Sequence, residues 1–132
     1  MKQKGFTLPE LLGVIAVIAA LALLTSPLII KVIEDAKKKA FASSADGVVE
    51  SIRMDNAKKE YTADTYTIKN GMIVGSDGQN VKKTGGTDEQ GSATINEDGK
   101  ITLVLHNKTW CALKKIDSKD IQISKYDAAT CK

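Results

Sequence analysis

Lys4-Gly5-Phe6-Thr7-Leu8-Pro9-Glu10 runs straight into an apolar stretch, Leu11–Ile30, and the reading of that junction decides the fold. The stretch carries no charge, and its only non-hydrophobes are Gly13, Thr25, Ser26 and Pro27. Twenty helical residues span roughly 30 Å, the thickness of a bilayer's hydrocarbon core. Glu10 therefore stands at the mouth of a membrane-length segment. A charged side chain there costs several kcal/mol, so it reads as functional and in need of a partner.

Outward from the junction, Lys2 and Lys4 precede the span and direct the short N-terminus to the cytoplasm and the rest of the chain outside. Lys31 and the Lys37-Lys38-Lys39 run lie on the far side and weaken that asymmetry. Two cysteines, Cys111 and Cys131, suit one disulfide outside the cytoplasm and support the same orientation. A secretory signal also has a basic start and an apolar middle. Against that reading, Pro9 and Glu10 intrude where such a signal is already apolar, no small-x-small cleavage site follows, and helical patterning continues past the span. A plain membrane anchor has no use for Glu10.

Gly5-Phe6-Thr7-Leu8-Pro9-Glu10-Leu11-Leu12 resembles the class III leader junction of type IV pilins and their pseudopilin relatives. The resemblance implies a cut by a membrane-bound prepilin peptidase between Gly5 and Phe6, followed by N-methylation of Phe6. It also implies assembly through Glu10, which matches the family's glutamate, while Pro9 replaces the more frequent aliphatic residue. The likeness covers about the first 30 residues; the remainder is similar in layout. The partners it implies are identical or related pilin subunits, the prepilin peptidase, an inner-membrane assembly platform, and membrane lipid before assembly. Nucleic acid enters only for a competence-related relative.

The junction's chemistry stands without the family. Removal of residues 1–5 takes away two lysines and exposes an α-amine on Phe6. That amine, with a pKa near 8, is largely cationic at neutral pH, methylated or not. Glu10 lies four residues on and could pair with its own amine or with that of a staggered neighbour. Breaking one partner of a buried pair typically costs about 3–5 kcal/mol, enough to block a fibre.

Pro27 removes one backbone donor, and its ring crowds the carbonyl of Leu23, so a helix kink is expected there. Thr25 and Ser26 are placed to satisfy the freed groups. Pilins that this chain resembles carry a proline here too, with Ala19 standing where they often have glycine. Beyond the span, Ile33, Ala36, Ala40, Phe41, Ala45, Val48, Val49 and Ile52 recur at spacings of three and four, an apolar stripe on one helical face. One helix from about Leu8 to Lys59 would be about 75 Å long. Its stripe must be covered by this chain's own C-terminal part or by other helices.

The C-terminal part reads as an antiparallel sheet. Thr65–Lys69 and Met72–Val74 flank an Asn70-Gly71 turn. Residues 75–91 read as a loop with at most fragments of strand. Ser92–Asn96 and Lys100–His106 form a hairpin around Glu97-Asp98-Gly99, with Ile101, Leu103 and Leu105 facing the helix stripe. Trp110–Lys115 and Asp120–Lys125 read as two further strands. The fold class is α+β, a long N-terminal helix packed against a small antiparallel sheet in a pilin-like ladle. The expected divisions are 1–5 as a cleaved leader, 6–30 as a transmembrane and assembly helix, 31–60 as its amphipathic continuation, and 61–132 as a β domain.

A Cys111–Cys131 crosslink closing about 20 residues would restrain the unfolded chain by roughly 3 kcal/mol. In the pilins the chain resembles, such a region also faces other subunits or targets. No metal and no cofactor is expected: the two cysteines and the single His106 lack the number and spacing of a zinc site. Asp117, Asp120 and Asp127 do not fall at calcium-ligand spacing. His106 reads as a surface residue without a partner, and Lys37-Lys38-Lys39 as a solvated helix face. No nucleophile–base pair or phosphate loop stands out, so the chain is read as a non-enzyme.

The functional expectation is a structural subunit, a pilin, of a type IV pilus-like filament. The alternatives are a pseudopilin of a type II secretion or competence system and, in another class, a bitopic anchor displaying a small extracytoplasmic binding domain. The expected location is a single pass of the cytoplasmic membrane with the N-terminus inside, then an extracellular filament or the cell surface.

Overall fold

The computed structural model describes residues 5–82, 86 and 88–131. Lys2 and Lys4, on which the expected orientation rests, lie outside the described residues. One helix, α1 (Leu8–Lys58, 51 residues), is followed by seven strands: β1 (Asp64–Lys69), β2 (Met72–Val74), β3 (Asn80–Val81), β4 (Gln90–Ile95), β5 (Ile101–His106), β6 (Trp110–Lys114) and β7 (Gln122–Lys125). They form a single antiparallel sheet in the order β3-β2-β1-β4-β5-β6-β7. The class is α+β, with the helix packed against the sheet. The chain divides into two compact units, one ending at Ala36 and one of Lys37–Lys132.

In the second unit, the alternation of β5 sets the core. Ile101, Leu103 and Leu105 are buried while Thr102, Val104 and His106 are only partly covered. They meet Phe41, Ala45, Val48, Val49 and Ile52 of α1, with Tyr66, Ile68, Ile73, Ala93, Ile95, Trp110 and Ala112 completing the cluster. The period of two in the strands and of three to four in the helix places both apolar sets on one interface. Covering begins at Phe41: Ile33, Ala36 and Ala40, counted in the stripe by their spacing, are exposed. The stripe is thus two segments, of which the sheet covers the second.

The turns follow local chemistry. Asn70 and Gly71 have φ of 50° and 74°, the paired positive values that a two-residue type I′ hairpin requires. Gly99, at φ 75°, closes the β4–β5 turn, where the Asn96 N–H and side-chain Oδ1 both engage Lys100. Gly91 is fixed by proximity, since a Cβ there would run into the Val104 carbonyl across the β4–β5 ladder. On the opposite sheet face, the hydroxyls of Thr94 and Thr102 hydrogen-bond across the same ladder.

The fragment of strand expected within 75–91 is β3, and β4 begins two residues before the expected Ser92. The last strand starts at Gln122 because Asp120 is taken into the preceding turn, where its N–H and carbonyl both bond the Ser118 hydroxyl. Lys114, buried on β6, donates its ammonium to the Ser118 carbonyl and closes that turn.

Candidate functional site

Gly5, Phe6 and Thr7 precede the helix and belong to neither helix nor strand. The space beside the Gly5 Cα is empty to 4 Å, and Phe6 is 83 % exposed. The bond between them is therefore open to an enzyme that must seat the backbone in its cleft.

Thr7 is the N-cap: its carbonyl accepts the Leu11 N–H at 3.1 Å, opening the helical ladder. The Glu10 Oε2 reaches back to accept the Thr7 N–H at 2.9 Å. This is one half of a capping box, in which an acid at the third helical position satisfies an orphan donor. Pro9 fits because the first turn's N–H groups have no intrahelical acceptor to lose. Glu10, expected to wait for an amine, already holds a donor one residue from the nitrogen that a cut after Gly5 would free. The Thr-x-x-Glu spacing signals this, and reading Glu10 only as a membrane charge passed over it.

Every residue from Leu8 to Ala40 is exposed. Among the described residues, α1 is the one helix long and apolar enough to cross a membrane. The helix continues through Pro27. The hydroxyls expected to relieve the proline do not reach the Leu23 carbonyl. Thr25 donates to Leu21 and Ala22 at 3.2 and 3.3 Å, and Ser26 to Ala22 at 2.7 Å. A hydroxyl on a helix points back three or four residues, so from 25 it passes residue 23 altogether, and Ser26 takes the carbonyl four back rather than the Leu23 carbonyl three back.

In the second unit, Cys111 and Cys131 form a disulfide, and both are buried. Asp127 shapes the tail that delivers Cys131: its carbonyl accepts the Cys131 N–H at 2.9 Å and its carboxylate accepts the Ala129 N–H at 3.0 Å. Asp117 is engaged elsewhere, in an ion pair with Lys100 at 2.9 Å. Among the described residues no group of His, Cys, Asp and Glu is gathered to hold a metal. His106 does have a partner, the Tyr126 ring, stacked at 4.9 Å. The adjacent Asn107 Oδ1 accepts the N–H groups of Thr109 and Trp110 and so builds the β5–β6 turn.

Lys59 enters the sequence reading only as the expected end of the helix. Its ammonium gathers Asp55 at 2.9 Å, Asp64 at 3.2 Å and Asp77 at 2.9 Å, and lies 5.4 Å from the centre of the Tyr66 ring. The three carboxylates come from the helix end, β1 and the β2–β3 turn, so one side chain ties three elements. The Asp77 bond is the chief cause that holds Lys59 protonated well above its ordinary value. A lysine so held is no nucleophile. Asp77 is correspondingly kept below its ordinary value by Lys59. Burial pushes the Asp64 carboxyl up, but bonds from Ser76, the Thr65 N–H and Lys59 outweigh it and leave it lowered. Burial, reinforced by Asp55, pushes the Tyr66 phenol up to about 12.

Residues 1–26 match the family described as the prokaryotic N-terminal methylation motif, the class III prepilin leader of type IV pilins and pseudopilins. Comparison with curated proteins and with solved structures finds no match. The motif supports a pilin-like or pseudopilin substrate of prepilin peptidase, with that peptidase and pilin subunits as partners. It points to a structural protein, and with the apolar helix to a membrane-anchored one with an extracellular part.

Proposed function

We propose that this chain is a pilin, a structural subunit of a type IV pilus-like filament, stored in the membrane and released into assembly by a cut between Gly5 and Phe6. The observation that carries the reading is the junction itself: a methylation motif over residues 1–26 that opens a helix exposed along its whole apolar half. Such a surface is tolerated in lipid or against other copies of itself and is costly in water. Glu10 gives the transition its direction. In the precursor its carboxylate is occupied by Thr7. Cleavage adds a cationic nitrogen one residue further back, and an amine–carboxylate pair is stronger than the amide N–H hydrogen bond it augments.

In this reading residues 1–5 are the leader, 6–30 hold the subunit in the membrane and then in the filament core, and 31–132 carry the surface. Pro27 supplies the weak point at which the helix adapts between those environments, since residue 27 has no N–H for the Leu23 carbonyl. The disulfide and the Lys59 cluster stiffen the part that faces outward. An assembly platform in the cytoplasmic membrane completes the partner set.

N-terminal sequencing and mass measurement of the mature protein test the first step. A chain beginning at methylated Phe6 supports the reading, whereas an intact Met1 supports a bitopic anchor. Electron microscopy of sheared surface material tests the second: abundant fibres of this chain support a pilin, and processed protein confined to the membrane supports a secretion or competence pseudopilin.

A further inference from the structure

At the C-terminal end of α1 a cleft of about 440 Å³ opens between the helix and the β4–β5 turn. Its walls include Glu50, Arg53, Met54, Asn56, Tyr61 and Asp98. Asn56 is fully buried, and its Nδ2 donates to the Thr62 carbonyl at 2.5 Å. Its Oδ1 has no hydrogen-bond partner among the described residues. The amide cannot turn over to help, because that would set its oxygen against the Thr62 carbonyl. A buried acceptor left unmet is destabilising, and this one, closed to solvent in the free chain, is met only where the cleft wall gives way to an entering donor.

The surroundings say what kind of donor. Two carboxylates, Glu50 and Asp98, flank the cleft against one cation, Arg53, and all three are exposed. Met54 and Tyr61, 59 % and 61 % exposed, offer apolar surface at the rim. Tyr61 is held there by backbone at φ 59°, next to Glu60 at φ 60°, a left-handed pair that bulky residues rarely adopt. A lysine fits this combination, with its aliphatic stem against the rim and its ammonium among acceptors.

We propose that the cleft docks a lysine ammonium from a second copy of this chain, supplied by the Lys37-Lys38-Lys39 run. This rests on the filament reading, in which copies lie side by side in one direction. The run is exposed, and its charge complements the cleft. Lys38 and Arg53 are fifteen residues apart on one helix, roughly 22 Å along its axis. A parallel copy displaced by that distance sets its lysines level with the cleft. The contact therefore fixes a stagger as well as a partner.

A zero-length carbodiimide, which joins a carboxylate to an amine only when they touch, tests the docking on the full chain in membranes and in sheared fibres. The expected product is a dimer-mass species whose linked peptides join Glu50 or Asp98 to Lys37, Lys38 or Lys39. Monomer-mass protein serves as the control for links within one chain. The dimer species falls to background in Glu50→Gln/Asp98→Asn, whose exposed substitutions leave the unfolding midpoint in place. Dimer links that bypass both carboxylates, a link to a different protein, or a dimer indifferent to the double substitution overturns the docking. Fibres are scored separately by microscopy: fibres without the link refute the docking and leave the filament, whereas absent fibres refute the filament reading itself.

Discussion

Ile33 and Ile52 lie on the same helix and in the same apolar stripe, yet Ile33 is 47 % exposed and Ile52 is fully buried. From Phe41 onward the helix meets β5 and its neighbours, which cover it within the chain. Before that point nothing among the described residues covers it. The comparison teaches that an apolar face states a need without naming what meets it. In one half the partner is intramolecular; in the other the proposed partner is lipid or another copy.

The sharpest test falls on the uncovered half. Glu10→Ala is expected to be cut and methylated normally while sheared fibres disappear, as judged by mass measurement and microscopy. Glu10→Gln separates two causes, because glutamine retains the capping bond to the Thr7 N–H but not the charge. Fibre loss in Glu10→Gln identifies the amine pair as the assembly contact. Wild-type fibres from that variant would reduce Glu10 to a helix cap.

The covered half should answer in stability instead. Ile52→Ala empties a fully buried site and is expected to cost about 2–5 kcal/mol. Leu21→Ala, on the exposed half, should leave unfolding of the sheet unit within about 0.5 kcal/mol of wild type. Denaturation of the full chain in detergent, followed by the fluorescence of buried Trp110, measures both. Equal losses would break the comparison.

Replacing Cys111 and Cys131 together with alanine should cost about 3 kcal/mol, from the freedom returned to an unfolded chain crosslinked across 20 positions. Gly91→Ala should cost about 1–3 kcal/mol by forcing β4 away from the Val104 carbonyl, visible as faster amide exchange across β4 and β5.

The smallest expected effect is on pH dependence. Asp64 and Asp77 lie below their ordinary value of 3.8 in the folded state, so their contribution is complete above that value and lost as pH falls through the folded values. Lys59 is raised, so its share is complete below 10.5 and lost only as pH climbs through its folded value. Wild-type protein should therefore lose stability on acidification from about pH 5 to about pH 2. Lys59→Met, which leaves three carboxylates facing one another at neutral pH, should lose less over that interval. An identical slope in both proteins would remove the cluster from the account.

Much of the fold is written locally. The Asn70-Gly71 and Asp98-Gly99 turns follow from residues that tolerate positive φ, and the inward set Ile101, Leu103 and Leu105 follows from a period of two. The capping bond of Glu10 was equally local, in the Thr-x-x-Glu spacing, but the stronger membrane signal drew attention from it. Other features had no local sign. Of the three carboxylates around Lys59, Asp55 stands four residues back on the helix, a local pair, but Asp64 and Asp77 have no local relation to it until the sheet brings them to one point. His106 and Tyr126 are twenty residues apart and meet only because β5, β6 and β7 pair in order.

By itself the sequence determined the membrane-length helix, the methylation motif, the helix–sheet class and most of the turns, because each depends on contiguous residues and a fixed period. Only the tertiary structure decided that covering starts at Phe41, that Lys59 joins three elements, and that Asn56 keeps a buried oxygen without a donor among the described residues. Those depend on which surfaces meet after the sheet closes over the helix, and contacts between distant residues leave no periodic mark in the chain.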